Sequence, residues 1–195
     1  MMKCESQEYH RRSIRLKDYD YSQTGGYFIT ICSHNRECLL GGIENGQMML
    51  NAYGRIVMRE WSKTDKIRTD VQMDNFVVMP NHIHGIIVVC RGVSQYAPTE
   101  STPSRFKSPS QTIGAIVRGF KSAVAKQINL LRNTPGLPVW QRNYYEHIIR
   151  DEKELSRLRG YIINNPLQWQ LDRENPLSVN YNLDYRRYFE GIYER

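Results

Sequence analysis

The 195-residue sequence has no apolar run near the roughly 20 residues a helix needs to cross a bilayer, which sets aside a membrane-spanning protein. Its start, Met1-Met2-Lys3-Cys4-Glu5-Ser6, lacks the apolar stretch of a secretory signal, and Cys4, Cys32, Cys38 and Cys90 show no Cys-x-x-Cys spacing. The expectation is a cytoplasmic protein with free thiols. No internal repeat is visible. Acidic residues are missing from one long segment. Between Ser104 and Arg132 lie Arg105, Lys107, Arg118, Lys121, Lys126 and Arg132 with no Asp or Glu, so this stretch holds most of the net charge of +7. A one-signed segment of this kind fits either a solvated helix face or contact with a polyanion, nucleic acid before an anionic membrane.

The composition, 40% hydrophobic and 24% charged, is that of one globular domain with extensions. Residues 1–22 read as a basic arm rich in Arg and Tyr, 23–170 as the domain, 91–111 as a flexible Ser-, Pro- and Thr-rich insertion within it, and 171–195 as a tail. Tyr27 to Ser33 has strand composition. Asn45-Gly46 marks a hairpin turn. Asn51 is placed to cap a helix running to about Lys63, and Val71 to Met79 and His82 to Val89 read as antiparallel neighbours joined at Pro80-Asn81. A helical stripe extends from Thr112 to about Arg132, and Asp151 precedes a last helix from Glu152 to about Asn164, ended by Pro166. Strands interleaved with helices without a regular βαβ repeat indicate an α+β sheet with helices packed mainly on one face.

The sharpest chemical signal is Met79-Pro80-Asn81-His82-Ile83-His84 at the head of a β-branched run. Residues two apart on a strand project from one face, so His82 and His84 can share a metal ion. Further groups are needed to complete such a site. Tyr161 and Asn165, four apart on the last helix, put a nucleophile and an oxygen ligand on one helical face, with Arg157 a turn earlier, placed to grip a phosphate oxygen or favour the phenolate. The same residues also read as a packed tyrosine, a helix C-cap and a surface arginine. Tyr144, Tyr145 and His147 form a rival constellation, and spacing alone does not choose between the two.

The ordered set of a Tyr-Phe-Ile-Thr strand, Met79-Pro80-Asn81-His82-Ile83-His84, Trp140-Gln141 and Tyr161-Ile162-Ile163-Asn164-Asn165-Pro166 resembles the REP-associated tyrosine transposases of the single-tyrosine HUH (IS200-like) superfamily, over about residues 10 to 170. The resemblance implies a ferredoxin-like, RRM-like antiparallel sheet with the last helix near the histidines. It implies that His82, His84 and Asn165 hold Mg²⁺ or Mn²⁺ and that Tyr161 is the nucleophile, rather than Tyr144 or Tyr145. The implied reaction is metal-dependent nicking and joining of single-stranded DNA through a 5′-phosphotyrosine, on hairpin-forming palindromic repeats, by a monomer or homodimer. Arg105, Lys107, Arg118, Lys121, Lys126 and Arg157 would hold the DNA backbone, with Phe106 free to stack on an unpaired base. The insertion and the tail lie outside the resemblance. Two other readings use parts of the same pattern: a non-catalytic nucleic-acid-binding regulator, which does not need the histidines and Tyr161 together, and a metal-dependent hydrolase with water as nucleophile, which leaves Tyr161 dispensable.

Overall fold

The computed structural model describes residues 23–90 and 112–178. The expected arm at 1–22, the 91–111 insertion with Arg105, Phe106 and Lys107, and residues 179–195 of the expected tail lie outside the described residues. In chain order the elements are β1 (Gly25–Cys32), a short 3₁₀ turn (His34–Arg36), β2 (Gly41–Glu44), β3 (Gln47–Leu50), α1 (Ala52–Ile67), β4 (Val71–Val78), β5 (His82–Val89), α2 (Ile113–Leu131), β6 (Tyr145–Ile149), α3 (Glu152–Asn164) and a 3₁₀ helix (Asn165–Leu171).

The main sheet has the order β4-β5-β1-β6 with every neighbour antiparallel. Removing the small β2–β3 hairpin leaves β-α-β-β-α-β, the split arrangement of ferredoxin-like domains, as expected. That hairpin turns at Asn45 and Gly46, both at positive φ (50° and 74°), the backbone a two-residue type I′ turn demands.

β1 and β5 are central strands with both faces covered, which is why their sequences are apolar runs rather than alternations. Tyr27, Ile29 and Ile31 of β1 and Ile83, Ile87 and Val89 of β5 face α1 and α2 in the larger core. Phe28 and Ile86 face the other way and pack with Leu158 and Ile162 of α3. Two helices therefore share one face, and α3 lies on the opposite face with the two histidines, since His84 pairs with Thr30 and His82 with Cys32.

Capping follows the sequence. Asn51 accepts from Tyr53 and Gly54, Thr112 from Ala115, and Asp151 from Glu154. One boundary differs from expectation and two features add to it. α1 runs on to Ile67, because Thr64 and Arg68 continue its hydrogen bonding where the apolar stripe has ended. Tyr145–Ile149 is a strand; its mixed residues Tyr-Glu-His-Ile-Ile reflect an edge position with one neighbour. Pro166 does not stop the chain from coiling, because it occupies the first turn of the 3₁₀ helix, where its missing N–H costs nothing.

α3 is strapped from both sides. On one edge a β-bulge between Met73 and Phe76 keeps Met73, Phe76 and Val78 on the core side, and Asp74 ion-pairs with Arg159 at 2.6 Å. On the other edge His147 of β6 meets Glu154 of α3 at 2.8 Å.

Candidate active site

His82 and His84 stand side by side at the start of β5, both buried, with their Nε2 atoms 3.0 Å apart. Each ring is held by its other nitrogen. The Asn81 amide donates to the carbonyls of Arg36 and Glu174, which leaves its oxygen facing His82 Nδ1 at 2.8 Å; that nitrogen therefore carries the proton, and Nε2 presents a lone pair. His84 Nδ1 lies 2.8 Å from the Thr30 hydroxyl, which can donate or accept and so serves either tautomer. Burial, with Arg36 as a second cause, pushes the His82 pKa down to about 3. Burial followed by the neighbouring His82 lowers that of His84 well below its usual value, against an opposing pull from Asp172. Both rings stay neutral over the physiological range, the state in which imidazole binds metal.

Tyr161 and Asn165 reach this pair from α3 and the turn that follows it. Tyr161 Oη is 3.1 Å from His84 Nε2, and its ring meets Phe28 edge-on. Asn165 is buried. Its Nδ2 donates to Asp172 Oδ2 at 3.0 Å, and its Oδ1 has no hydrogen-bond partner among the described residues. Asp172 is the member that the sequence reading missed. Its carboxylate lies 3.8 Å from His82 Nε2, and His82, His84 and Asp172 offer ligand atoms all within 4.8 Å of one another. The expected tail at 171–195 thus begins within a packed segment that supplies part of the site. Glu174 secures that segment: its carbonyl accepts from Asn81, and its carboxylate meets Arg36 at 3.1 Å and Cys32 Sγ at 3.4 Å. Burial, then Glu174, raises the Cys32 pKa, so this thiol stays protonated.

The donor set fits a divalent ion. Two nitrogen ligands about 2.1 Å from an ion at a right angle stand about 3.0 Å apart, which is the spacing found. Each histidine has its second nitrogen oriented by a hydrogen bond, as ligating histidines usually do. A buried carboxylate oxygen adds a hard ligand of the kind Mg²⁺ and Mn²⁺ prefer, and the Asn165 amide, bonded to that carboxylate through Nδ2, keeps an unpartnered buried oxygen.

A cleft of about 220 Å³ opens beside Tyr161 and His84. Arg36 and Arg173, which sequence reasoning did not single out, stand at this cleft. The predicted basic residues are placed differently. Arg118 and Lys126 are exposed on α2, whose packed side covers the sheet face opposite the histidines. Lys121 is engaged within the fold: its ammonium donates to the carbonyls of Gln141 (2.6 Å), Arg142 (3.2 Å) and Asn143 (3.4 Å), and burial lowers its pKa. Arg157 is exposed on α3. In the rival constellation, Tyr144 Oη donates to Glu146 at 2.7 Å and His147 is taken by Glu154, while Tyr144 and Tyr145 line the cleft.

No known protein-family model matches the chain. A Haemophilus influenzae (strain ATCC 51907 / DSM 11121 / KW20 / Rd) protein, described only as an uncharacterized protein, is 47% identical over 169 residues, which cover 85% of this chain and 93% of that one. The chain belongs to one family with it. Among solved structures the chain is similar to a REP-associated tyrosine transposase bound to a REP hairpin, with 18% identity, a TM-score of 0.51, and coverage of 80% of this chain and 74% of that chain. At that identity the likeness shows a shared α+β fold. Among the described residues no helix is long and apolar enough to cross a membrane.

Proposed function

We propose that this protein is a single-tyrosine HUH transposase that nicks and rejoins single-stranded DNA through a covalent 5′-phosphotyrosine, acting on repeats that fold into hairpins. The observation that carries this reading is the position of Tyr161 Oη, 3.1 Å from His84 Nε2 and beside a second histidine, a buried aspartate and an orphaned amide oxygen. The fold shared with a transposase bound to a REP hairpin supports the substrate class.

His82, His84, Asp172 and Asn165 would hold the Mg²⁺ or Mn²⁺. When bound, the ion supplies Lewis-acid polarisation of the scissile phosphate. The residues do the rest. Tyr161 loses its phenolic proton to solvent in the cleft and its Oη forms a bond to phosphorus. The bond from phosphorus to the 3′ oxygen breaks, and that oxygen takes up a proton to become a free 3′-hydroxyl. Attack by a second 3′-hydroxyl on the phosphotyrosine reverses the step and joins strands without ATP. Phe28 and Ile162 keep the α3 face seated on the sheet so that Oη stays at the histidines. Arg36 and Arg173 border the cleft beside Asp172 and Glu174, with Arg36 paired to Glu174, so backbone-holding charge is sought further away, at exposed Arg118, Lys126 and Arg157.

Labelled single-stranded DNA carrying hairpin repeats, incubated with the protein and Mg²⁺ or Mn²⁺ and run on a denaturing gel, should give a covalent adduct. Tyr161→Phe should abolish it while Tyr144→Phe and Tyr145→Phe keep it, and the nucleotide should map to the peptide containing Tyr161. Cleavage without adduct would mean a hydrolase using water, and binding without cleavage a regulator.

A further inference from the structure

The cleft beside Tyr161 is bordered by Gln141, whose backbone is fixed by hydrogen bonds on both sides of its peptide unit. The Gln141 N–H donates to the Cys32 carbonyl at 2.9 Å, and its own carbonyl accepts from Lys121 Nζ at 2.6 Å. Lys121 reaches there from α2 and binds the next two carbonyls as well, while neighbouring Trp140 is buried and bridges to Ser33. Gln141 lines the cleft, and the hydrogen bonds it makes among the described residues come from its backbone. Tyr144 and Tyr145 line the same cleft, which Arg36 and Arg173 border together with Asp172 and Glu174.

Resting on the strand-cutting reading above, we propose that this cleft is a subsite for one unstacked nucleobase flanking the scissile phosphate, with Gln141 reading its edge. A carboxamide presents a donor and an acceptor in one plane, which matches a base edge carrying both, adenine first. Aromatic rings supply the faces on which an unpaired base stacks. A side chain mounted on an immobile backbone loses less freedom on binding than one on a loose loop. Gln141 is thus a specificity-determining residue, distinct from the groups that bind metal or attack phosphorus.

The test is a selection that needs no cutting. Hairpin DNAs with randomised single-stranded flanks are bound to Tyr161→Phe protein, recovered and sequenced, in parallel with the same protein carrying Gln141→Ala or Gln141→Glu. The expected result is one flank position enriched at least about fivefold in one base, lost with Gln141→Ala while preferences elsewhere persist. Gln141→Glu should move that position toward cytosine, whose amino group donates to a carboxylate, and this variant decides the matter if the alanine protein fails to fold. Flanks without a preferred base, or a preference unchanged in both variants, would overturn the subsite. Adduct formation by the wild-type protein on the selected DNA reports separately on strand cutting, so loss of one conclusion is distinguishable from loss of the other.

Discussion

Asn165 donates from Nδ2 to Oδ2 of Asp172 over 3.0 Å, and the carboxylate so held faces His82 while the Asn165 carbonyl oxygen stays buried without a partner among the described residues. One amide thus orients the carboxylate of the candidate cluster with its nitrogen and keeps a buried lone pair on its oxygen. Asp172→Asn keeps the shape and removes the charge, and Mn²⁺ affinity measured by calorimetry should fall at least about tenfold. Asn165→Ala should cost a comparable factor. Unchanged affinity in both would remove them from the metal site.

Acid should destabilise the metal-free protein through its two buried imidazoles. His82 takes up a proton only near pH 3 when folded, and His84 is shifted the same way, whereas in the unfolded chain both protonate near about 6.5. Their contribution to stability is fully present above the unfolded value and is lost as pH falls from there toward the folded one. Each ring adds a slope of about 1.4 kcal/mol per pH unit in that window. Urea unfolding in chelator at pH 6.5 and 4.5 should show a larger loss for the wild type than for the His82→Gln, His84→Gln double variant; equal losses would contradict the shifts.

Gly85 separates the site from the core. A Cβ there would lie 2.4 Å from the Trp61 ring, which is stacked on Phe76 at 4.3 Å and meets Phe120 edge-on, so it has little room to give. Gly85→Ala should destabilise the fold by about 1 to 3 kcal/mol through overpacking, measured by denaturant unfolding. Because His84 precedes Gly85 on β5, Mn²⁺ affinity should weaken as well. A neutral effect on both would show that Trp61 moves freely.

Basic residues on α2 should separate into two behaviours. Exposed Arg118 and Lys126, if they meet phosphates, should each lower the magnitude of the log-log salt slope of hairpin binding by about 0.7 to 0.9 when changed to Ala. Lys121→Ala should instead leave that slope unchanged and lower thermal stability, because its ammonium is committed to three backbone carbonyls. A slope change with Lys121→Ala and none with the other two would reverse this assignment.

The sequence is legible where periodicity and local chemistry coincide. Helix starts at Asn51, Thr112 and Asp151 are visible because a short polar side chain must satisfy bare amides, and the His82-x-His84 pair because a strand repeats every two residues. A candidate nucleophile needed more than spacing, since Tyr144, Tyr145 and Tyr161 are equivalent by spacing and only the resemblance favours Tyr161. Asp172 carries no signal at all: it follows a proline-containing 3₁₀ helix with no periodic pattern, and only the return of the chain onto Asn81, Arg36 and Cys32 brings it to the histidines. Lys121 shows what charge pattern alone leaves out. Charge pattern marks it as a phosphate contact, whereas the carbonyls that bind it come from a turn some twenty residues later.

The late position of Asp172 orders events during synthesis. Thr30, His82 and His84 are synthesised well before Asp172, so the strand pairing that aligns the histidines is specified long before the carboxylate of the candidate cluster is added. On the proposed chemistry the ability to cut would be conferred last. A chain ending at Leu171 would keep both histidines and Tyr161 and lack the carboxylate of the candidate cluster.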